Sequence, residues 1–256
     1  AAKKLIDLCR FYNVSYYLPA DLHGMKLPLF SAVEPEHYLP RSEMRSTIDI
    51  AMSIGGDGTV IKLAKEFAGC DVSVCGVNMG SLGFLNEVEP DSLQTRFLDL
   101  MRDRYYVEER MMLHGRIVYD DGRVTDLPDA LNDIVIGHAN VGKMIRVEMS
   151  INDSFIQEYP ADGVIISTPT GSTGYNLSSG GPIVSPNVRG LLVTPICPHL
   201  LQKVPILLDE EDELSFMARH SRNRVRISVD GMTDLDFTKK MVLHVGKSEK
   251  KAKLLR

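Results

Sequence analysis

Apolar residues in the first part of the chain recur at helix and strand spacings in turn. Leu5, Ile6, Leu8, Cys9 and Tyr12 lie near a 3.6-residue repeat, which predicts that the chain begins inside a helix. Residues 31–46 are polar and contain prolines, and they read as a loop. IDIAMSI (48–54) is a nearly continuous apolar run of strand length, the pattern of a strand buried on both faces. After the glycine-rich GGDGT, the residues Val60, Ile61, Leu63, Ala64, Phe67 and Ala68 trace an amphipathic helix that Gly69 ends. VSVCGVN (72–78) predicts the next strand. EPDSLQTRFLDLMRDR (89–104) predicts a helix capped by Asp91 or Ser92, with Leu93, Phe97, Leu100 and Met101 on its apolar face. This alternation predicts an α/β domain over residues 1–101, built on a parallel sheet with covering helices. Such a domain normally leads its first helix with a strand, and that strand is expected either to be missing here or to belong to a range outside this sequence.

The period then changes from helical to strict alternation. YDDGRV (119–124) places Asp-Gly between short apolar segments, a hairpin signal. In MIRVEMSIND, Ile145, Val147, Met149 and Ile151 alternate with polar residues before an Asn-Asp turn. RVRISVDG repeats the pattern with Val225, Ile227 and Val229. Residues 102–256 therefore read as a second, β-rich domain of antiparallel, half-solvated strands. The tail KSEKKAKLLR begins as a basic, solvated segment, and the last residues are expected to return to the first domain.

Composition narrows the function. A formal net charge of -5 offers no basic stripe for a nucleic-acid backbone. No apolar run approaches the roughly 20 residues of a membrane span. The opening AAKKLIDLCRFY has no signal-peptide pattern, so a cytoplasmic location is expected. Cys9, Cys70, Cys75 and Cys197 never fall at CxxC spacing and read as reduced thiols. The 7 histidines are dispersed, so no metal site held by protein ligands alone is expected.

Three glycine-rich loops carry the candidate chemistry: GGDGT (55–59), NMGSLGFL (78–85) and TPTGSTGYNLSSGGP (168–182). Two of them follow predicted parallel strands, the edge where open α/β sheets bind ligands. Glycines there let backbone N–H groups approach phosphate oxygens. No Lys-Ser/Thr follows the glycines, so none is a Walker A loop. None is a clean GxGxxG either. Asp57 is awkward in a loop that only grips phosphate, because its charge repels one. It has a use as a base for an attacking hydroxyl or beside Mg²⁺, and the plainer alternative is a cap on the following helix. Asn132 and Asp133 interrupt the apolar run ALNDIVIGH, where one of the two must face the core side and needs a partner, unless the pair sits at a bulge or strand start in solvent. Asp162 is a turn residue or a further polar ligand. Thr173 offers a hydroxyl, and Tyr175 offers a flat face for a base. Asp230-Gly231 reads chiefly as a hairpin turn.

GGDGT, NMGSLGFL, the Asn-Asp pair, DGVIISTPTGSTGYNLSSGGP, TPICPH (194–199) and SVDG occur in this order, and together they resemble the NAD kinases over about residues 48–231. The resemblance implies an active site between an α/β and a β-rich domain. It implies phosphorylation of the adenosine-ribose 2′-hydroxyl of NAD by ATP or polyphosphate, with a divalent cation such as Mg²⁺ carried by the donor. By motif, Asp57 is the base with Gly58 beside it, and Gly55, Gly56 and Thr59 contact phosphate. Asn132 and Asp133 hold NAD, and Thr173, Gly174, Tyr175 and Ser178 line the adenosine pocket. Asp162 reaches the nicotinamide end or a neighbouring subunit's site. A homodimer or homotetramer is implied. The chain departs from the family pattern at Asp133, where glutamate is usual, and at Gly174, where alanine is frequent. Against the family pattern, the closing segment that returns to the first domain is expected to be truncated after Arg256. The rival readings are a lipid kinase sharing the GGDGT loop and a non-catalytic NAD(P) sensor.

Overall fold

The computed structural model describes residues 1–25, 27–80, 83–138, 144–199, 204–219 and 224–256. Its contacts divide the chain into one unit of Ala1–Glu109 with Ala252–Arg256, and another of Arg110–Lys251.

The first unit is α/β. Strands Ile50–Gly55 and Ser73–Asn78 pair in parallel, from Ile50 opposite Ser73 to Gly55 opposite Asn78. Leu254, near the end of the strand Met241–Leu255, pairs in parallel with Val74. Ser73–Asn78 thus lies between two neighbours and is buried almost throughout. Ile50–Gly55 is not buried on both faces as its apolar run suggests. Ala51 and Ser53 are buried, whereas Ile50 and Met52 are half-buried and Ile54 is exposed. The reason is local: that face borders a cavity of about 410 Å³ which Leu5, Ile6, Phe67 and Leu100 also line. The helices Ala2–Tyr12 and Leu93–Leu100 bring Leu5, Leu8, Leu93 and Phe97 onto Cys75, Val77 and Leu255. Ser92 does stand at the N-cap of Leu93–Leu100, but its hydroxyl bonds back to Glu89 O at 3.1 Å rather than to the helix.

Residues 31–46 are more ordered than a loop. Tyr38–Leu39 pairs in parallel with Leu18–Pro19, and a helix runs over Arg41–Thr47. That helix buries only Met44, so it carries no apolar period to read. Pro40 stands at its N-cap, where a fixed φ suits the entry and a missing N–H costs nothing.

The second unit is a pair of antiparallel sheets. One contains, in spatial order, Ile206–Asp209, Gly190–Ile196, Gly163–Ser167, Asp133–His138, Val225–Val229 and Thr233–Phe237. In the other, Leu214–Ala218 lies between Ile145–Ile151 and the first part of Met241–Leu255, and Ile145–Ile151 pairs with Ser154–Ala161. The alternation does what the sequence indicates. Ile145, Val147 and Met149 join Val164, Ile166, Leu191 and Val193 in one core. Each such side chain contributes about 1.5–3 kcal/mol by its burial. The hairpins turn where predicted, with Gly122 at φ 82°, Asn152 and Asp153 at 48° and 64°, and Asp230 and Gly231 at 49° and 67°. The tail begins largely solvated, as expected, and then packs. It continues the strand to Leu255, burying Ala252, Leu254 and Leu255 while Glu249, Lys250 and Lys251 stay in water.

Candidate active site

In the first unit the chain turns from the strand Ile50–Gly55 into the helix Asp57–Glu66, and the corner is GGDGT. Gly55 is required by packing, because a Cβ there would lie 2.6 Å from Thr59 Oγ1. Gly56 and Gly58 are different. A Cβ on either would meet nothing within 4 Å, so no crowding inside the protein excludes a side chain. What their bareness leaves open is the backbone, at the N-terminus of a helix where anions are favoured. The Thr59 hydroxyl is already committed, donating to Gly56 O at 2.6 Å.

Asp57 does not cap this helix. Gly56 stands at the N-cap without a side-chain bond, and Asp57 is the first helical residue. Its carboxylate reaches the loop after the next strand instead. Oδ2 accepts the Phe84 N–H at 2.8 Å, and Oδ1 accepts the Leu85 N–H at 3.2 Å and Asn86 Nδ2 at 2.7 Å. Gly83 makes room for it, since a Cβ there would fall 2.1 Å from Asp57 Oδ1. This explains GGDGT and NMGSLGFL as one construction: the second loop fixes the acid of the first. Ser81 and Leu82 of that loop lie outside the described residues. Asn78 Oδ1 accepts the Gly80 N–H at 3.0 Å and turns the chain into the loop.

In the second unit, Asp133 opens the strand Asp133–His138 and is buried, while Asn132 precedes it half-buried. The bulge or solvent reading therefore fails for Asp133. The Asn132 carbonyl accepts the Thr168 N–H at 2.9 Å and the Ser167 hydroxyl at 3.1 Å. Asn132 Oδ1 is buried with no protein donor, an acceptor left for something else. The loop 168–182 packs directly against this pair. Gly171 has no room for a side chain, as its Cβ would sit 2.2 Å from Asn132 O. At Gly174 a Cβ would stand 3.3 Å from Gly171 O and 3.6 Å from Asn132 Nδ2, so an alanine would fit there with a small adjustment.

Tyr175 begins the short helix Tyr175–Ser178 and is about half exposed, at 48%. Its hydroxyl is held protonated above the ordinary tyrosine range, first by burial and then by nearby Cys197, Asp133 and Asp162. The fold thus gathers Asp133, Asp162 and Tyr175 into one neighbourhood, with Asn132 and Gly174 alongside. Asp162 sits between Ser154–Ala161 and Gly163–Ser167, its N–H donating to Ile196 O at 2.9 Å. Thr173 is half-buried, and its hydroxyl reaches Thr170 O at 3.4 Å. Ser178 is exposed, one turn past Tyr175.

Several residues that shape the site escaped sequence reasoning. Asn176 is fully buried, donating to Ser172 O and Pro182 O at 3.0 Å each and accepting from the Thr194 hydroxyl at 2.6 Å. Asn86 grips Asp57. Arg110, buried at the start of the second unit, donates to Thr170 Oγ1 at 3.1 Å. The only signal available for Asn86 and Asn176 was a polar residue beside or within a glycine-rich motif, and Arg110 lies outside all three motifs. Among the described residues, no group of three His, Cys, Asp or Glu side chains is placed to hold a metal ion.

Comparison with known proteins decides the family. The family model for the ATP-NAD kinase N-terminal domain matches residues 27–105, and that for the ATP-NAD kinase C-terminal domain matches 131–256. An NAD kinase of Natranaerobius thermophilus is 34% identical over 213 residues, covering 83% of this chain and 74% of the relative. The chain belongs to the NAD kinase family. An NAD kinase of Heliobacterium modesticaldum is 40% identical over 210 residues, 81% of this chain and 74% of its own. Among solved structures, yeast NADH kinase complexed with NADH aligns with a TM-score of 0.78 at 28% identity, covering 87% of this chain and 67% of that one. An NAD kinase from Archaeoglobus fulgidus in complex with ATP aligns at 0.70 and 26%, covering 85% and 82%. These NAD kinases share both parts of the fold, the α/β and the β-rich.

Proposed function

We propose that this chain is an NAD kinase that transfers the terminal phosphoryl group of ATP to the 2′-hydroxyl of the adenosine ribose of NAD, with Asp57 as the base. The observation that carries the assignment of Asp57 is its carboxylate geometry. An ionised carboxylate offers about four lone-pair positions. Three are filled by donors that fix its direction, and Oδ2 accepts a single bond, from Phe84 N–H. One position on Oδ2 is thus open to a substrate hydroxyl. As the ribose oxygen bonds to phosphorus, its proton passes to Asp57 and the bond from phosphorus to the bridging oxygen breaks, releasing ADP. Such a transfer depends mainly on positioning and charge neutralisation, which backbone N–H groups of a bare glycine corner supply.

Mg²⁺ enters this reading as part of the substrate, on the ATP phosphates. That fits the acid present, because Oδ1 of Asp57 is occupied by two N–H donors and is a poor metal ligand. Asn132, Asp133, Tyr175 and Asp162 hold the dinucleotide, with Thr173, Gly174 and Ser178 around the adenosine. Gly56 and Gly58, with Gly55 and Thr59 shaping the corner, approach phosphate. ATP as donor is supported by the ATP complex of the Archaeoglobus relative. A homo-oligomer in the cytoplasm accords with the family resemblance. No helix among the described residues is long and apolar enough to cross a membrane.

The cavity of about 410 Å³ in the first unit is a feature a lipid-kinase reading could use. Incubation of the protein with Mg²⁺ and ATP labelled at the γ-phosphate, with NAD in one arm and diacylglycerol in the other, separates the two. Label in NADP alone is the expected result, and label in the lipid alone would overturn the assignment.

A further inference from the structure

The motif SVDG remains to be explained. Asp230 and Gly231 turn the hairpin between Val225–Val229 and Thr233–Phe237, both at positive φ. Asn-Gly and Asp-Gly serve such turns about equally. A turn alone therefore does not select a carboxylate at residue 230.

The carboxylate has another occupation. Oδ1 accepts the backbone N–H groups of Asn132 at 2.8 Å and Asp133 at 3.0 Å, and Oδ2 accepts that of Leu131 at 3.0 Å. The Asp230 N–H donates to Asp133 O at 2.9 Å. Residue 230 thereby continues the ladder in which Val229 opposes Ile134. From the other side, Thr168 Oγ1 donates to Leu131 O at 2.6 Å, and Thr168 N and Ser167 Oγ donate to Asn132 O. Every backbone N–H and C=O of residues 131–133 is thus held, the three N–H groups by one anion. An asparagine at 230 has only one carbonyl oxygen, and its amide would turn a donor toward an N–H.

We propose that Asp230 is a positioning residue for dinucleotide binding: it fixes the Leu131–Asn132–Asp133 backbone so that the Asn132 and Asp133 side chains meet NAD already aligned. This rests on the reading of Asn132 and Asp133 as NAD-holding residues. In this role Asp230 acts through the 131–133 backbone rather than on a substrate. Without it the tripeptide must be ordered at each binding event, which weakens NAD and leaves the ATP corner of the other unit untouched.

The test compares Asp230→Gly and Asp230→Asn, both of which keep a residue suited to positive φ, with Asn132→Ala as a control. KM for NAD and for ATP and the melting temperature are measured for each. The expected result is a rise in KM for NAD of about 10-fold or more for both Asp230 variants, the scale of one lost charge-assisted bond, with KM for ATP within about 2-fold. Amide shifts of residues 131–133 should move in Asp230→Asn. If Asn132→Ala raises KM for NAD while both Asp230 variants leave it unchanged, the positioning role is wrong. Equal increases in both KM values would make Asp230 a general structural residue and overturn the proposal as well. If Asn132→Ala itself leaves KM for NAD unchanged, the site reading fails, and the proposal falls with it. Should Asp230→Gly not fold, Asp230→Asn alone decides by the same criteria.

Discussion

At the scale of single residues, the glycines of GGDGT and the loop that meets it separate by cause. Gly55 and Gly83 are bare because Thr59 and the Asp57 carboxylate occupy the space of a Cβ, whereas Gly56 and Gly58 face open space. Gly56 has φ -90° and ψ -177°, a conformation alanine adopts readily. Gly56→Ala should therefore hold or raise stability, by about 0.4–1 kcal/mol through the unfolded chain. It should nevertheless weaken ATP, because the added methyl group would stand where the proposed function brings a phosphate to the backbone. Thermal melts alongside ATP titrations would check this, and a loss of stability with unchanged ATP affinity would refute it. The sequence identified Asp57 as the residue needing a reason, but local chemistry offered a cap equally well. The choice required Phe84, Leu85 and Asn86, which approach only after the chain has passed through a whole further strand.

Elements show a similar division between what is local and what is not. Strands with strict alternation, Ile145–Ile151 and Val225–Val229, were legible because one face is core and the other water. The helix Arg41–Thr47 was not, since a single buried Met44 leaves no period. The exposed edge of Ile50–Gly55 was hidden for the opposite reason. An apolar run announces burial without saying which face is covered. The loop 168–182 is the element on which the nucleotide reading most depends, and Asn176 is its internal staple. Asn176→Ala would remove three hydrogen bonds in a fully buried place and orphan the Thr194 hydroxyl. A loss of about 3 kcal/mol is expected, at about 1 kcal/mol per bond. Chemical denaturation with a shifted midpoint and an unchanged slope would be the signature, and a change below the measurement error would show that the loop does not depend on this staple.

For the whole molecule, each unit carries its own part of the proposed chemistry: the first an oriented acid and a bare helix N-terminus, the second the side chains proposed to hold the dinucleotide. Stability should depend on pH through His244 on the strand Met241–Leu255. Burial, and then Arg116, depress its pKa below the ordinary 6.5. The unfolded chain then binds this proton more readily than the folded one, so stability rises with pH up to about 6.5 and falls as the medium becomes more acid. His244→Gln should flatten the pH dependence of the melting temperature below that point. An unaltered slope would remove His244 as its source. The account's central claim is that Asp57 takes the proton of the attacking hydroxyl. Single-turnover formation of NADP from NAD and Mg²⁺-ATP, compared between the native chain and Asp57→Asn, tests it most directly. The predicted result is a rate lower by about 10²-fold or more, the usual contribution of a positioned base, with NAD affinity within a few-fold of native. Near-native turnover in Asp57→Asn would contradict the claim.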